Sequence, residues 1–290
     1  VASEQGRITV TRARIAEDLA RLGIARGDVV FVHSSLSSLG WVEGGAEAVI
    51  DAFLDALGAE GMMVVPTLSW TFAHGDLARH AFDPKETPSR TGKITDTLWR
   101  RPGAFRSAHP THSIAGLGRR AEELVAGHDK TSTFGKEGPY WRYVAWGAKV
   151  MFLGVDMCCN TTLHAVEDWL DMPYLQEEKA LAKGEDGRAK VVKVYKSPMG
   201  DRDFYRKGSK VERLLEMSGM IRRGKVGRAE TVWLPSQEMV RAVVEGIYQE
   251  PTLLLCDRPE CQFCSKYRQP TIDHVRRHHP VDLRMLTQRG

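Results

Sequence analysis

Apolar residues along this chain follow two patterns. In some stretches they recur at helical spacing, and in others they gather into short unbroken runs. Over residues 11–23, Ile15, Leu19 and Leu22 share one face, which predicts an amphipathic helix ended by Gly23. From Ala46 to Leu57, Val49, Ile50, Phe53, Leu54 and Leu57 repeat that spacing. Val29-Val30-Phe31-Val32, Met62-Met63-Val64-Val65 and Val150-Met151-Phe152-Leu153-Gly154-Val155 are the runs. Runs of this kind suit strands buried on both faces, as in parallel sheets. The strand–helix–strand rhythm therefore predicts an α/β fold: a mainly parallel central sheet flanked by helices, with strand-end loops forming one cleft.

Between Ser69 and Gly92 no period is visible, so functional loops are expected there. Thr95 to Trp99 predicts a short helix. The texture changes after Tyr174. Residues 181–208 are charged and glycine-punctuated, with Val191 to Tyr195 as an exposed strand, and 210–217 and 236–248 read as helices. One domain is expected. Residues 1–178 form its motif-bearing core, and 179–290 form a variable part that completes the acceptor site and ends in a Cys/His-rich segment.

Composition narrows the classes. The 290 residues are 42% hydrophobic and 27% charged, which suits a globular chain with a sizeable core. No apolar run approaches the ~20 residues of a membrane span, and Val1 to Gly6 lack the apolar stretch of a secretory signal. The expectation is a cytoplasmic protein with no membrane partner. The net charge of +4 comes from 41 basic and 37 acidic residues that are spread along the chain, so no nucleic-acid partner is expected.

The chemistry concentrates between Asn160 and Asp171. Asn160 or Thr161 can cap a helix on which His164, Glu167, Asp168 and Asp171 share one face, while Leu163, Val166 and Leu170 share the other. An amine nucleophile must lose a proton before it attacks an acyl carbon, and histidine titrates where that is useful. A neighbouring carboxylate orients the ring, and further carboxylates attract a cation. Spacing alone better fits a solvated acidic helix with an incidental histidine, because charged helix faces are common.

Four motif blocks add to this reading. Leu153-Gly154-Val155-Asp156 followed by Asn160-Thr161-Thr162-Leu163-His164-Ala165-Val166-Glu167 resembles the signature of the aminoglycoside 3-N-acetyltransferase family. Val32-His33-Ser34-Ser35-Leu36 resembles that family's Val-His-Ser-Ser loop. Phe82-Asp83-Pro84 with Thr87-Pro88-Ser89 and Gly92 resembles a third block, and Pro102-Gly103, Arg106-Ser107, His109-Pro110 and Ser113 a fourth. The resemblance covers roughly residues 9–178. It implies acetyl transfer from acetyl-coenzyme A to a cationic amine, most simply an aminoglycoside, with His164 as general base and Glu167 orienting it. It also implies that His33, Ser34 and Ser35 bind coenzyme A, with Thr111 and Ser113 in second rank. Asp83, Asp168 and Asp171 are the candidate contacts to the cationic substrate, and Thr161 and Thr162 the candidate oxyanion stabilisers. Asp156 to Cys159 and the loop from Trp70 to Ala81 depart from the family pattern, which leaves the acceptor open. Asp201 and Asp203 are stand-ins for acidic contacts in the variable part.

Cys256, Cys261 and Cys264 have the close spacing of thiolate metal ligands. They are candidates for a structural zinc, with His274, His278 or His279 as a fourth ligand. Reduced thiols without metal, or a disulfide, are the alternatives. Two rival functions remain: a family member acting on another amine, and a non-catalytic zinc-stabilised module whose basic residues would cluster to bind nucleic acid.

Overall fold

The computed structural model describes residues 9–71, 81–184, 186–197, 200–278 and 283. The first elements are β1 (Thr9–Val10), α1 (Arg12–Arg21), β2 (Val29–Ser34), β3 (Trp41–Val42), α2 (Gly45–Leu57) and β4 (Met62–Pro66). Next come α3 (Lys93–Leu98), β5 (Ala104–Arg106), β6 (Ile114–Gly118), α4 (Ala121–Val125), α5 (Pro139–Ala145), β7 (Lys149–Leu153) and α6 (Thr162–Trp169). The remainder comprises β8 (Gln176–Lys183), β9 (Ala189–Ser197), α7 (Lys210–Met217), β10 (Arg222–Val226), β11 (Ala229–Pro235), α8 (Ser236–Gln249) and α9 (Gln262–Arg277).

The fold is α/β, with a central sheet in the order β10-β11-β7-β2-β4-β6-β5. Only its middle is parallel. β2 pairs in parallel with β4 and β7, and the four outer pairings are antiparallel. The expectation of a mainly parallel sheet thus holds for three strands and gives way to a mixed sheet outside them. The reason is visible in the residues. The apolar runs that suggested parallel pairing are these three strands, buried on both faces. The outer strands arrive through returning connections, such as the Gly227 turn between β10 and β11.

Strand alternation sends successive side chains to opposite faces. Val30, Val32, Met63, Val65, Met151 and Leu153 join one core with α1, α2 and α3. Phe31, Met62, Val64, Val150 and Phe152 join the other with α5, α6 and α8. The hairpin β8–β9 forms a separate two-stranded sheet beside this body.

The C-terminal segment is better anchored than its sequence implied. Leu253, Leu254 and Leu255 are buried, and α9 brings Cys264 and Val275 into the main core. Phe263 and Tyr267 pack against Tyr174 at 5.8 and 6.0 Å between ring centroids. Besides these aliphatic residues, thiols and aromatic rings anchor the segment, and a scan for aliphatic periodicity overlooks them.

Candidate active site

The site begins where β2 and β7 end. Asn160 Oδ1 accepts the Thr162 backbone N–H at 3.1 Å, so Asn160 caps α6, while Thr161 makes no side-chain cap. α6 is buried on all sides. Its acidic face is therefore interior, which overturns the reading of a solvated helix.

His164 Nδ1 lies 2.6 Å from Glu167 Oε2. Glu167 Oε1 in turn accepts from Arg202 Nε at 2.5 Å. Neither Glu167 nor Arg202 has measurable exposure. Burial alone would raise the Glu167 carboxyl, but the charges and hydrogen bonds of Arg202 and His164 prevail and hold it at about 2. The carboxylate is thus fixed in its ionised form. Arg202 is stacked on Tyr174 and Phe263, at 4.1 and 4.5 Å from their ring centroids. On the other side of the imidazole, Tyr205 Oη lies 3.0 Å from His164 Nε2. Phe134 and Phe204 flank the ring.

His164 and Tyr205 face a cavity of about 520 Å³ that is also lined by His33, Ser34, Trp70 and Thr161. A second, open groove of about 700 Å³ runs past Ser34, Ser35 and Ser37 to Gly44, Gly45 and Lys93. Ser34 borders both. The groove therefore carries the amino end of the 13-residue α2 and a lysine, a setting that favours anions. His33 is 5% exposed, and burial lowers it to about 3, so it is a neutral ring. Its Nε2 has no hydrogen-bond partner among the described residues.

Other expected residues lie elsewhere. Thr111 and Ser113 do not line either cavity. Both are fully buried. The Thr111 hydroxyl is bonded to His112 Nδ1 at 2.8 Å, and that of Ser113 to Thr67 and Arg106. They brace the wall behind the site. Asp83 pairs with Lys183 at 3.0 Å, outside the cavity lining. Asp168 is buried, which raises its carboxyl, and it too lies off the cavity wall. Asp171 is not on the helix face, because α6 ends at Trp169; it is exposed and pairs with Lys196 at 3.2 Å. The Thr162 hydroxyl is committed to Tyr143 at 2.9 Å, leaving Thr161 at the cavity. Asp203 accepts the Lys210 backbone N–H at 2.6 Å, at the start of α7.

Residues 72–80 of the unmatched loop, and His279, lie outside the described residues. Cys158 and Cys159 line the cavity. Desolvation and the adjacent Cys158 push the Cys159 thiol up to about 11, which disfavours a nucleophilic thiolate. Arg202, Tyr205 and Lys93 were missed from sequence. Arg202 and Tyr205 follow no recognised spacing, and their only signal was their place next to Asp201 and Asp203.

The description "Aminoglycoside 3-N-acetyltransferase" belongs to a family model that matches residues 31–247. The chain belongs to this family. It is 33% identical over 263 residues to aminoglycoside N(3)-acetyltransferase VII of Streptomyces paromomycinus, covering 80% of this chain and 89% of that protein. Among aminoglycoside 3-N-acetyltransferases of known structure, it resembles a histidine-to-alanine mutant of AAC(3)-IVa in complex with gentamicin. That match has a TM-score of 0.79 at 28% identity and covers 92% of this chain and 99% of that one. It also resembles AAC-IIIb in a binary complex with CoASH, with a TM-score of 0.73 at 26% identity, covering 83% and 97%. Among the described residues no helix is long and apolar enough to cross a membrane.

Proposed function

We propose that this protein transfers the acetyl group of acetyl-coenzyme A to the 3-amine of an aminoglycoside, with His164 as general base. The observation that carries the reading is the buried relay Arg202–Glu167–His164, whose imidazole meets the cavity beside Ser34. Glu167 fixes the tautomer in which Nδ1 carries the proton, so Nε2 is the acceptor. Tyr205 Oη occupies the acceptor position of Nε2, and an incoming amine displaces it there.

The thioester is already activated, so the enzyme's work is positioning and proton removal. The amine nitrogen bonds to the acetyl carbon as His164 takes its proton. The carbon–sulfur bond then breaks, and the proton passes to the departing thiolate. The ionised Glu167 stabilises the imidazolium between these steps. Ser34 and Ser35, with Gly44, Gly45 and Lys93, line the groove suited to the coenzyme's pantetheine and phosphates. Thr161 and the neutral His33 are among the polar residues lining the cavity in which the oxyanion forms.

A second reading concerns the acceptor. Among the described residues the cavity lining holds Arg90 and no carboxylate, which favours an amine of lower positive charge than an aminoglycoside. The three C-terminal cysteines are assigned a structural zinc, apart from the reaction. The test is a thiol-release assay with acetyl-coenzyme A across aminoglycosides and simpler amines. His164→Ala should lower kcat at least ~100-fold while leaving the fold intact. Near-normal turnover in that variant would remove His164 from the chemistry.

A further inference from the structure

Nothing in the acetyl transfer uses Cys256, Cys261 or Cys264. All three are buried, unoxidised and gathered so that their sulfurs lie within 4.8 Å of one another. Ligation by zinc at ~2.3 Å per thiolate would set the sulfurs ~3.8 Å apart in a tetrahedron, so a small contraction closes the cluster. Two of the histidines expected as a fourth ligand are each engaged through one ring nitrogen, and the third, His279, lies outside the described residues. His274 Nε2 is bonded to the Leu170 carbonyl and His278 Nδ1 to the His274 carbonyl, each at 2.7 Å.

A carboxylate from a distant part of the chain touches one of the three thiols; it lies outside the group whose ligand atoms are all within 4.8 Å of one another, so ligation requires it to turn inward toward the other two. Asp201 Oδ2 lies 3.6 Å from Cys261 Sγ. A sulfur and an oxygen bound to one tetrahedral zinc are ~3.5 Å apart. The Asp201 carbonyl also lies 3.9 Å from Cys264 Sγ.

We propose that Cys256, Cys261, Cys264 and Asp201 form a zinc site, with Asp201 as the fourth ligand. The proposal rests on the zinc assignment above and adds the ligand and the site's task. Zinc ligation releases the thiol protons to solvent and leaves a surplus of negative charge. Two guanidinium groups are placed to offset it, since Arg206 and Arg258 both contact Asp201 Oδ2. The Cys256 backbone N–H points to Cys264 Sγ at 3.3 Å, as expected of a donor supporting a thiolate.

The task follows from what Asp201 adjoins. Arg202 holds Glu167, and Tyr205 touches His164 from the opposite side. The metal therefore fastens the 201–206 segment to the start of α9. That segment supplies contacts on both sides of the imidazole.

Elemental analysis of protein purified without a metal-affinity column should find about one zinc per chain. Competition with a chromophoric chelator should then show Asp201→Ala binding zinc at least ~10-fold more weakly. Asp201→Cys should retain the metal, which separates ligation from misfolding, and Arg258→Ala should retain it too. Zinc well below one equivalent in the wild type would overturn the site. So would wild-type zinc affinity in Asp201→Ala, or loss of zinc from Asp201→Cys. All these measurements are made without substrate, so they stand or fall separately from the acetyltransferase reading.

Discussion

The behaviour of His164 is governed by a residue that never meets the cavity. Glu167 is fully enclosed, and its charge is kept by Arg202 rather than by water. Glu167→Gln removes the stabilisation of the imidazolium but leaves the base in place. Its kcat should fall, by less than His164→Ala causes, with the acceptor KM nearly unchanged. A change confined to KM would mark Glu167 as a substrate contact. The pair itself was legible in sequence, because i and i+3 on a helix are neighbours and a histidine beside a carboxylate has a recognisable task. Arg202 was not. It comes from 35 residues downstream, and no local spacing encodes a long-range partner. Asp171 misled for the converse reason. Its i+7 spacing presumes two full turns, and the helix stops before completing them.

Among the elements, the β2 terminus and the following turn border both the cavity and the groove that the proposed function uses. Ser35 N–H donates to the Leu153 carbonyl at 3.0 Å, which ties the loop to β7 and therefore to the strand leading into α6. Ser35 itself lines the groove and is partly exposed. Ser35→Phe should thus fill the groove with little loss of core packing. Calorimetry should show coenzyme A affinity reduced at least ~10-fold, equivalent to ~1.4 kcal/mol, with the melting temperature preserved. Full affinity with an intact melt would detach this loop from the cofactor. The central strands were readable because doubly buried strands are written as continuous apolar runs. The outer strands and β8 were not, since alternating or charged strands resemble loops until a partner is known.

At the scale of the whole molecule, the interior holds several neutral histidines. Burial is the leading cause that lowers His33 and His112 to about 3 and His128 to about 4, and it carries His109 well below its ordinary range. His128 is bonded to Ser107 and to the Thr133 carbonyl, at 2.8 and 2.9 Å. The unfolded chain takes up protons at these sites below about pH 6.5, and the folded chain does so only at lower pH. The contributions of His33, His112 and His128 are therefore complete above about pH 6.5 and are lost as the pH falls toward about 3 to 4, at roughly 1.4 kcal/mol per pH unit for each, and His109 acts in the same direction. Glu167 acts in the same direction over a lower range. Its contribution is present above about 4.3 and is lost toward about 2. Urea unfolding should show clearly lower stability at pH 5.5 than at pH 7.5; equal stability at the two would contradict the neutral burial of these rings. The position of Ser34, bordering both groove and cavity, bears on the order of events in turnover. In the proposed reaction the donor groove and the acceptor cavity meet at this one residue, so both substrates fit at once and neither must leave before the other arrives. Double-reciprocal plots at several fixed acceptor concentrations should intersect, as for a ternary complex, whereas parallel lines would require an acetylated enzyme waiting between two visits.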